Sequence, residues 1–224
     1  MPKALPSVGY ADLPDETLVQ QVVEGNHAAF EGIMRRHNRA LFRTARAILR
    51  DDAEAEDALQ EAYLQAFRTL GSYRGEARLS TWLARVVANE SLMRLRKHAR
   101  RNAIVPLHAG VDPEEIKDME KEKEPETAAR RAEMRRLLEK RIDALPDDYR
   151  AVFMLRAVEE YTVEEAAAIL QIPAATVRSR LFRARSLLRE GLAAEADLAC
   201  GEAFGFAGER CDRVVASVMK RLPA

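Results

Sequence analysis

The strongest constraint on this chain is a helical repeat of apolar residues that almost nothing interrupts. Phe30, Ile33, Met34, Leu41, Ala45, Ile48 and Leu49, then Leu59, Ala62, Tyr63, Ala66, Phe67 and Leu70, recur at three- and four-residue spacing. That spacing sets each series on one stripe of a helix. Only 10 Gly and 9 Pro punctuate the 224 residues, so turn signals are sparse. With 47% hydrophobic and 32% charged residues, collagenous, disulfide-stapled and wholly disordered chains are excluded. An all-α protein follows, made of two small helical domains joined by an acidic linker, the C-terminal one a helix-turn-helix.

The first domain spans 13–101. Its helical pattern breaks at Gly71-Ser72-Tyr73-Arg74-Gly75, then resumes with Leu79, Trp82, Leu83, Val86 and Val87, and ends in Arg94, Arg96, Lys97, Arg100 and Arg101. Between 102 and 127 the apolar pattern fades. Asp112, Glu114, Glu115, Asp118, Glu120, Glu122, Glu124 and Glu126 gather there, interrupted by Pro106, Pro113 and Pro125, the composition of a flexible or partly helical linker. A second domain, 128–192, carries Leu137, Leu138, Ile142, Leu145, Val152, Phe153 and Leu155, with a helix start at Leu145-Pro146. An extension, 193–224, follows.

Thr162-Val163-Glu164-Glu165 has the form of a capping box, in which the hydroxyl and the carboxylate satisfy free N–H groups at a helix start. A short helix through Leu170, a turn at Gln171-Ile172-Pro173 and a basic helix from about Ala174 complete a helix-turn-helix outline. On that basic helix Val177, Leu181, Ala184 and Leu188 share one face and form its core side. Ser179, Phe182, Arg183 and Ser186 therefore point outward, flanked by Arg178, Arg180, Arg185 and Arg189. An outward Phe among arginines suits a major groove, where the ring meets a thymine methyl and Arg meets guanine edges and phosphates. The bland alternative is a solvated Arg-rich helix with Phe182 packed on a neighbour.

Two more constellations stand out in the first domain. Asp51, Asp52, Glu54, Glu56, Asp57 and Glu61 occur with no basic residue among them. The helix macrodipole favours acids in a first turn, but Asp57, Gln60 and Glu61 lie on one face well inside the helix. They form a candidate docking face for a basic protein partner. The loop from Ser72 to Leu79 combines Tyr73 with Arg74 and Arg78, a pairing suited to unstacked bases, since a ring stacks on a base while a cation holds phosphate. Trp82 sits in the apolar stripe and is assigned to the core.

These stretches together resemble the extracytoplasmic-function (ECF) sigma factors of bacterial RNA polymerase. The resemblance rests on Asp51 to Glu61, on Tyr73-Arg74-Gly75 followed by Thr81-Trp82-Leu83 and Asn89, on Leu145-Pro146, and on Thr176 to Arg185, in the family's order across about residues 13–192. It implies that Asp57, Gln60 and Glu61 dock on the clamp of the polymerase largest subunit. It implies further that Tyr73, Arg74 and Arg78 serve promoter opening and capture of an upstream base, with Asn89, Arg94 and Arg96 on adjacent DNA. Thr176, Arg178, Ser179, Phe182 and Arg183 would read a GGAAC-like element in the major groove, and the acidic linker would thread the polymerase cleft. An anti-sigma factor is a further implied partner. Arg78 stands where many family members carry a small aliphatic or aromatic residue.

Lys plus Arg and Asp plus Glu number 36 each, a balance reached by segregation: acidic faces for protein, basic faces for DNA. A regulator that binds duplex DNA by itself is a competing reading, though it leaves the basic-aromatic loop without a purpose. A protein-binding adaptor leaves the Arg-Phe face unexplained. No catalytic residue, cofactor or metal site is expected: His27, His37, His98 and His108 are scattered, and no phosphate-cradling or nucleophile motif occurs. With no apolar leader or bilayer-length run, a cytoplasmic protein without membrane insertion is expected. In the extension, Val214, Val215, Val218, Met219 and Leu222 predict an amphipathic helix. Cys200 and Cys211 are either buried small hydrophobes or a redox or metal sensor.

Overall fold

The computed structural model describes residues 10–104 and 125–202, and every regular element among them is helical. Helices α1 (Asp15–Val23), α2 (Ala28–Leu49), α3 (Asp52–Thr69) and α4 (Leu79–Ile104) are followed by α5 (Pro125–Asp143), α6 (Asp147–Phe153), α7 (Val163–Leu170) and α8 (Ala174–Glu202). A first compact unit ends at Arg185 and a second begins at Ser186. Most of the acidic stretch expected as a linker, the helix expected around Val214, and Cys211 lie outside the described residues.

Helices α2, α3 and α4 pack together because each carries one apolar stripe. The stripe on α3 is almost wholly alanine: Ala55, Ala58, Ala62 and Ala66 are each no more than 1% exposed. Such small side chains let Ile33, Leu41 and Ile48 of α2 and Leu83 and Val87 of α4 approach closely around it. At one end Phe30 meets Phe67 and Tyr63 edge-on, with ring centroids 5.2 and 6.0 Å apart, the arrangement that aromatic quadrupoles favour. Burial pushes the Tyr63 phenol well above its ordinary range, so it stays protonated and donates to Asn38 Oδ1 at 2.8 Å.

Asp51 accepts from the Glu54 N–H at 2.8 Å and so starts α3, the N-cap role of a short carboxylate. Ahead of α2, a tight turn at Tyr10–Asp12 crosses Gly32 so closely that a methyl group there would stand 2.7 Å from Tyr10 Cβ.

The second group of helices builds on Val152, Leu155, Ile169, Leu170, Val177 and Ala184, all buried. Between α6 and α7 the backbone widens into a π-helical turn, Met154–Val158. On α5 the apolar residues are largely uncovered: Leu138 is 39% exposed, and Met134 one turn earlier is 56% exposed. Leu145, two residues past the end of α5, is buried. A single apolar cluster runs through both groups, joining Leu41 and Ala45 to Val152, Leu155, Tyr161 and Ile169.

Candidate nucleic-acid interface

The helix-turn-helix forms as its sequence predicts. Thr162 Oγ1 accepts from the Glu165 N–H at 3.1 Å, and Glu165 accepts from the Thr162 N–H at 2.8 Å, closing the capping box. Gln171 ends α7 in the left-handed region, φ 54°, and Pro173 leads into α8. Val177 and Ala184 are fully buried and fix the rotation of α8 about its axis. Ser179, Phe182 and Arg183 consequently face water, and Phe182 is 76% exposed. The alternative of Phe182 packed on a neighbour is thereby set aside.

The cations flanking that face differ in freedom. Arg180 is held by Asp148 at 2.6 Å, and Arg178 reaches Glu164 at 3.5 Å. Arg183 stands clear of any ion pair among the described residues. Thr176 lies at the helix's first turn, half-buried, its carbonyl accepting from the Ser179 hydroxyl at 3.1 Å.

The loop before α4 is braced rather than loose. Gly75 adopts φ 72°, a conformation that glycine reaches without the strain a Cβ would bring. The Tyr73 hydroxyl donates to Ala77 O at 2.6 Å, and its ring leans on Trp82 with centroids 5.6 Å apart. Burial, then the nearby Glu16 and Asp15, raises the Tyr73 phenol. Tyr73 and Trp82 are both half-buried, so the core assignment of Trp82 holds only in part, while Arg74 is exposed. Beside the loop opens a cleft of about 350 Å³ whose walls include Val19, Val23 and Tyr73 and whose rim carries Glu16, Gln20 and Glu24.

Arg78 is already engaged. Its Nε and one terminal nitrogen donate to the two oxygens of Glu165 at 2.8 and 2.7 Å, and Thr81 Oγ1 donates to the same carboxylate at 2.8 Å. Burial works against ionisation of Glu165, but the Thr162 N–H, Arg78, Thr81 and the Thr162 hydroxyl outweigh it and hold the group at about 2.

On α4, Asn89 and Arg96 are exposed. Arg94 is not: its side chain is 24% exposed, bonded to Glu90 at 2.7 Å, and it reaches Glu54 at 3.5 Å and Asp57 O at 3.3 Å. The bond to Glu90 raises its pKa, although burial opposes this. Arg94 thus braces α3 against α4, behind the acidic face, rather than standing with Asn89 and Arg96. Asp57, Gln60 and Glu61 are exposed together on α3, and Leu64, one turn on, is 52% exposed.

Sequence reasoning missed Leu64, although the i+3 spacing from Glu61 could have found it. It also missed Arg150, the largest fully buried side chain, for which no local pattern exists.

Two families match separate stretches: Sigma-70 region 2 over residues 33–101 and Sigma-70 region 4 over residues 135–188. The ECF RNA polymerase sigma factor SigM of Mycobacterium tuberculosis is 36% identical over 186 residues, covering 82% of this chain and 88% of that protein. The ECF RNA polymerase sigma-E factor of Escherichia coli is 34% identical over 182 residues, 79% of this chain and 93% of that protein. Among solved structures, CnrH in complex with the cytosolic domain of CnrY aligns with a TM-score of 0.54 at 25% identity, over 80% of this chain and 97% of that one. The sigma factor RpoE in complex with the anti-sigma factor NepR from Bartonella quintana aligns with a TM-score of 0.61 at 23% identity, over 73% and 96%, a likeness of fold. With the capped helix-turn-helix, the acidic face on α3 and the braced loop ahead of α4 in the family's order, the chain belongs to the extracytoplasmic-function sigma factors of bacterial RNA polymerase.

Proposed function

We propose that this alternative sigma factor, which directs RNA polymerase to promoters, divides its contacts among three faces. Asp57, Gln60 and Glu61 of α3, with Leu64 at their edge, dock on the clamp of the polymerase largest subunit. Three polar groups with an exposed leucine beside them suit a basic partner surface that also offers an apolar spot.

Arg74, Asn89 and Arg96 engage the promoter element nearer the start site. The cleft beside Tyr73 is the right size for one unstacked base, and its acidic rim disfavours phosphate while accepting exocyclic amines. Thr176, Arg178, Ser179, Phe182 and Arg183 of α8 enter the major groove of the more distant element. The domain division at 101 and 128, a cytoplasmic setting and the lack of any catalysis of its own belong to the same reading.

The observation that carries it is Phe182. An aromatic ring three-quarters in water, on the outward side of a helix rotated by its own core, is kept ready for an apolar contact. The test is run-off transcription with bacterial core polymerase on a template library, using the wild type and the triple variant Asp57→Ala, Gln60→Ala, Glu61→Ala. Initiation from a subset of templates that requires the protein and is lost in the triple variant is the expected result. Shifting of duplex DNA without polymerase, with no added initiation, would replace this reading with that of a stand-alone regulator.

A further inference from the structure

The seam between the first helical group and the helix-turn-helix group is polar at its margin and stitched by named pairs. Arg43 meets Glu159 at 3.1 Å, and Arg46 holds both oxygens of Asp143 at 3.1 and 2.8 Å. Arg50 donates to the carbonyls of Asp143 and Leu145 at 2.6 and 3.1 Å. At its far end the Tyr161 hydroxyl donates to Ser80 O at 3.3 Å, and Arg78 lies 6.0 Å from the Tyr161 ring centroid. Glu165 closes this end with three bonds, two from Arg78 and one from Thr81.

Arg78 therefore has an anion on it before any DNA arrives. A planar guanidinium held in two-pronged fashion by a carboxylate is engaged as one holding a phosphate would be, and the Nε edge that grips Glu165 cannot grip a phosphate at the same time. Ser80 and Thr81, the first turn of the helix that follows the loop, are engaged by the same group of residues. Glu165 remains fully ionised at neutral pH because its folded-state value lies near 2, so the clasp does not release by protonation under ordinary conditions. It has to be displaced.

We propose that Glu165, besides capping α7, acts as an internal stand-in for nucleic-acid phosphate that keeps the loop of the first helical group closed against the helix-turn-helix until promoter DNA and polymerase displace it. The inference rests on the assignment of the Arg74 to Arg78 loop to the DNA strand made above. It assigns Glu165 no contact with DNA and no part in the helix-turn-helix's own readout.

Glu165→Gln isolates the clasp, because Gln at this place still completes a capping box while losing the charge that grips Arg78. In the full chain, freed of Cys200 and Cys211 by substitution, fluorescent labels on cysteines at the exposed positions Arg68 and Ala175 report the distance between the two groups. Binding of a random-sequence single-stranded oligonucleotide is measured beside it. Glu165→Gln is expected to lengthen the label distance and tighten oligonucleotide binding roughly threefold to tenfold, the scale of a partly exposed charge network. Thr81→Ala, which leaves the cap untouched, should move both readouts the same way by less.

An unchanged distance in both variants would overturn the clasp. A longer distance with unchanged binding would overturn its inhibitory role. In that case adding Arg78→Ala to the Gln variant separates the causes: weaker binding retains the loop as a DNA contact, and no effect removes that assignment as well.

Discussion

Phe182 and Arg150 mark the two extremes that a side chain can occupy in this protein, and each has a consequence that can be measured. Phe182 contributes little to the folded state, since its ring makes almost no contact to lose. Phe182→Ala is expected to leave thermal stability within about 0.5 kcal/mol of wild type, as for an ordinary surface change. It should weaken promoter binding by the polymerase complex by roughly tenfold, the worth of one buried aromatic contact of about 1.5 kcal/mol or more. Unfolding and footprinting on the same preparations check both halves. The orientation of Phe182 was legible in the sequence because Val177, Leu181 and Ala184 dictate which way α8 turns. The partners of Arg78 and Arg94 were not. Both read as cations for DNA, and nothing in the local sequence says that Glu165, 87 positions away from Arg78, will fold onto it. Of the partners of Arg94, only Glu90 at the i, i+4 position could have been anticipated.

Among elements, α1 depends on α2 through a small polar junction that should make the protein sensitive to acid. Asp15 approaches His37 Nε2 at 3.3 Å and also pairs with Arg36. Burial lowers the His37 pKa below its ordinary value, and the Asp15 charge opposes this without reversing it. A base whose folded-state pKa is depressed favours folding most when neutral. Its contribution is complete above about 6.5, the unfolded value, and declines as pH falls through that value toward the folded one. The melting temperature should therefore drop between pH 7.5 and pH 5.5, and His37→Gln should flatten that drop even if it lowers stability at the higher pH. Element starts were the most readable part of the chain, because Asp51 and the Thr162 to Glu165 box carry their mechanism in adjacent residues. The uncovered Leu138 and Met134 of α5 show where such reading stops: periodicity reveals a face, but whether another helix covers it is decided elsewhere in the chain.

For the molecule as a whole, one guanidinium holds the centre of the seam. Arg150 is fully buried and donates to Ala47 O at 2.6 Å, Leu145 O at 2.9 Å and Asp147 at 2.8 Å. It thereby ties the end of α2 to the start of α6. Burial lowers its pKa, with Asp147 opposing, yet arginine stays charged in proteins. Arg150→Met keeps the stem and strands those carbonyls, so unfolding in urea should lose roughly 3 kcal/mol or more and separate into two transitions as the helical groups come apart. A single, unshifted transition would show that the apolar cluster alone joins them. The two helical groups were visible in the sequence, but their union was not, since contacts between distant segments leave no periodic trace. The seam is also graded in its response to ionic strength. At about 0.15 M salt, charges are screened over roughly 8 Å of water, so the half-exposed pairs Arg43–Glu159 and Arg78–Glu165 weaken as salt rises. Arg150, fully buried and bonded to the carbonyls of Ala47 and Leu145 as well as to the half-exposed Asp147, feels the change less. A rise in salt thus loosens the margin where Glu165 clasps Arg78 before it loosens the part of the seam around Arg150, and ionic strength becomes a physical input to which the two ends of one seam answer unequally.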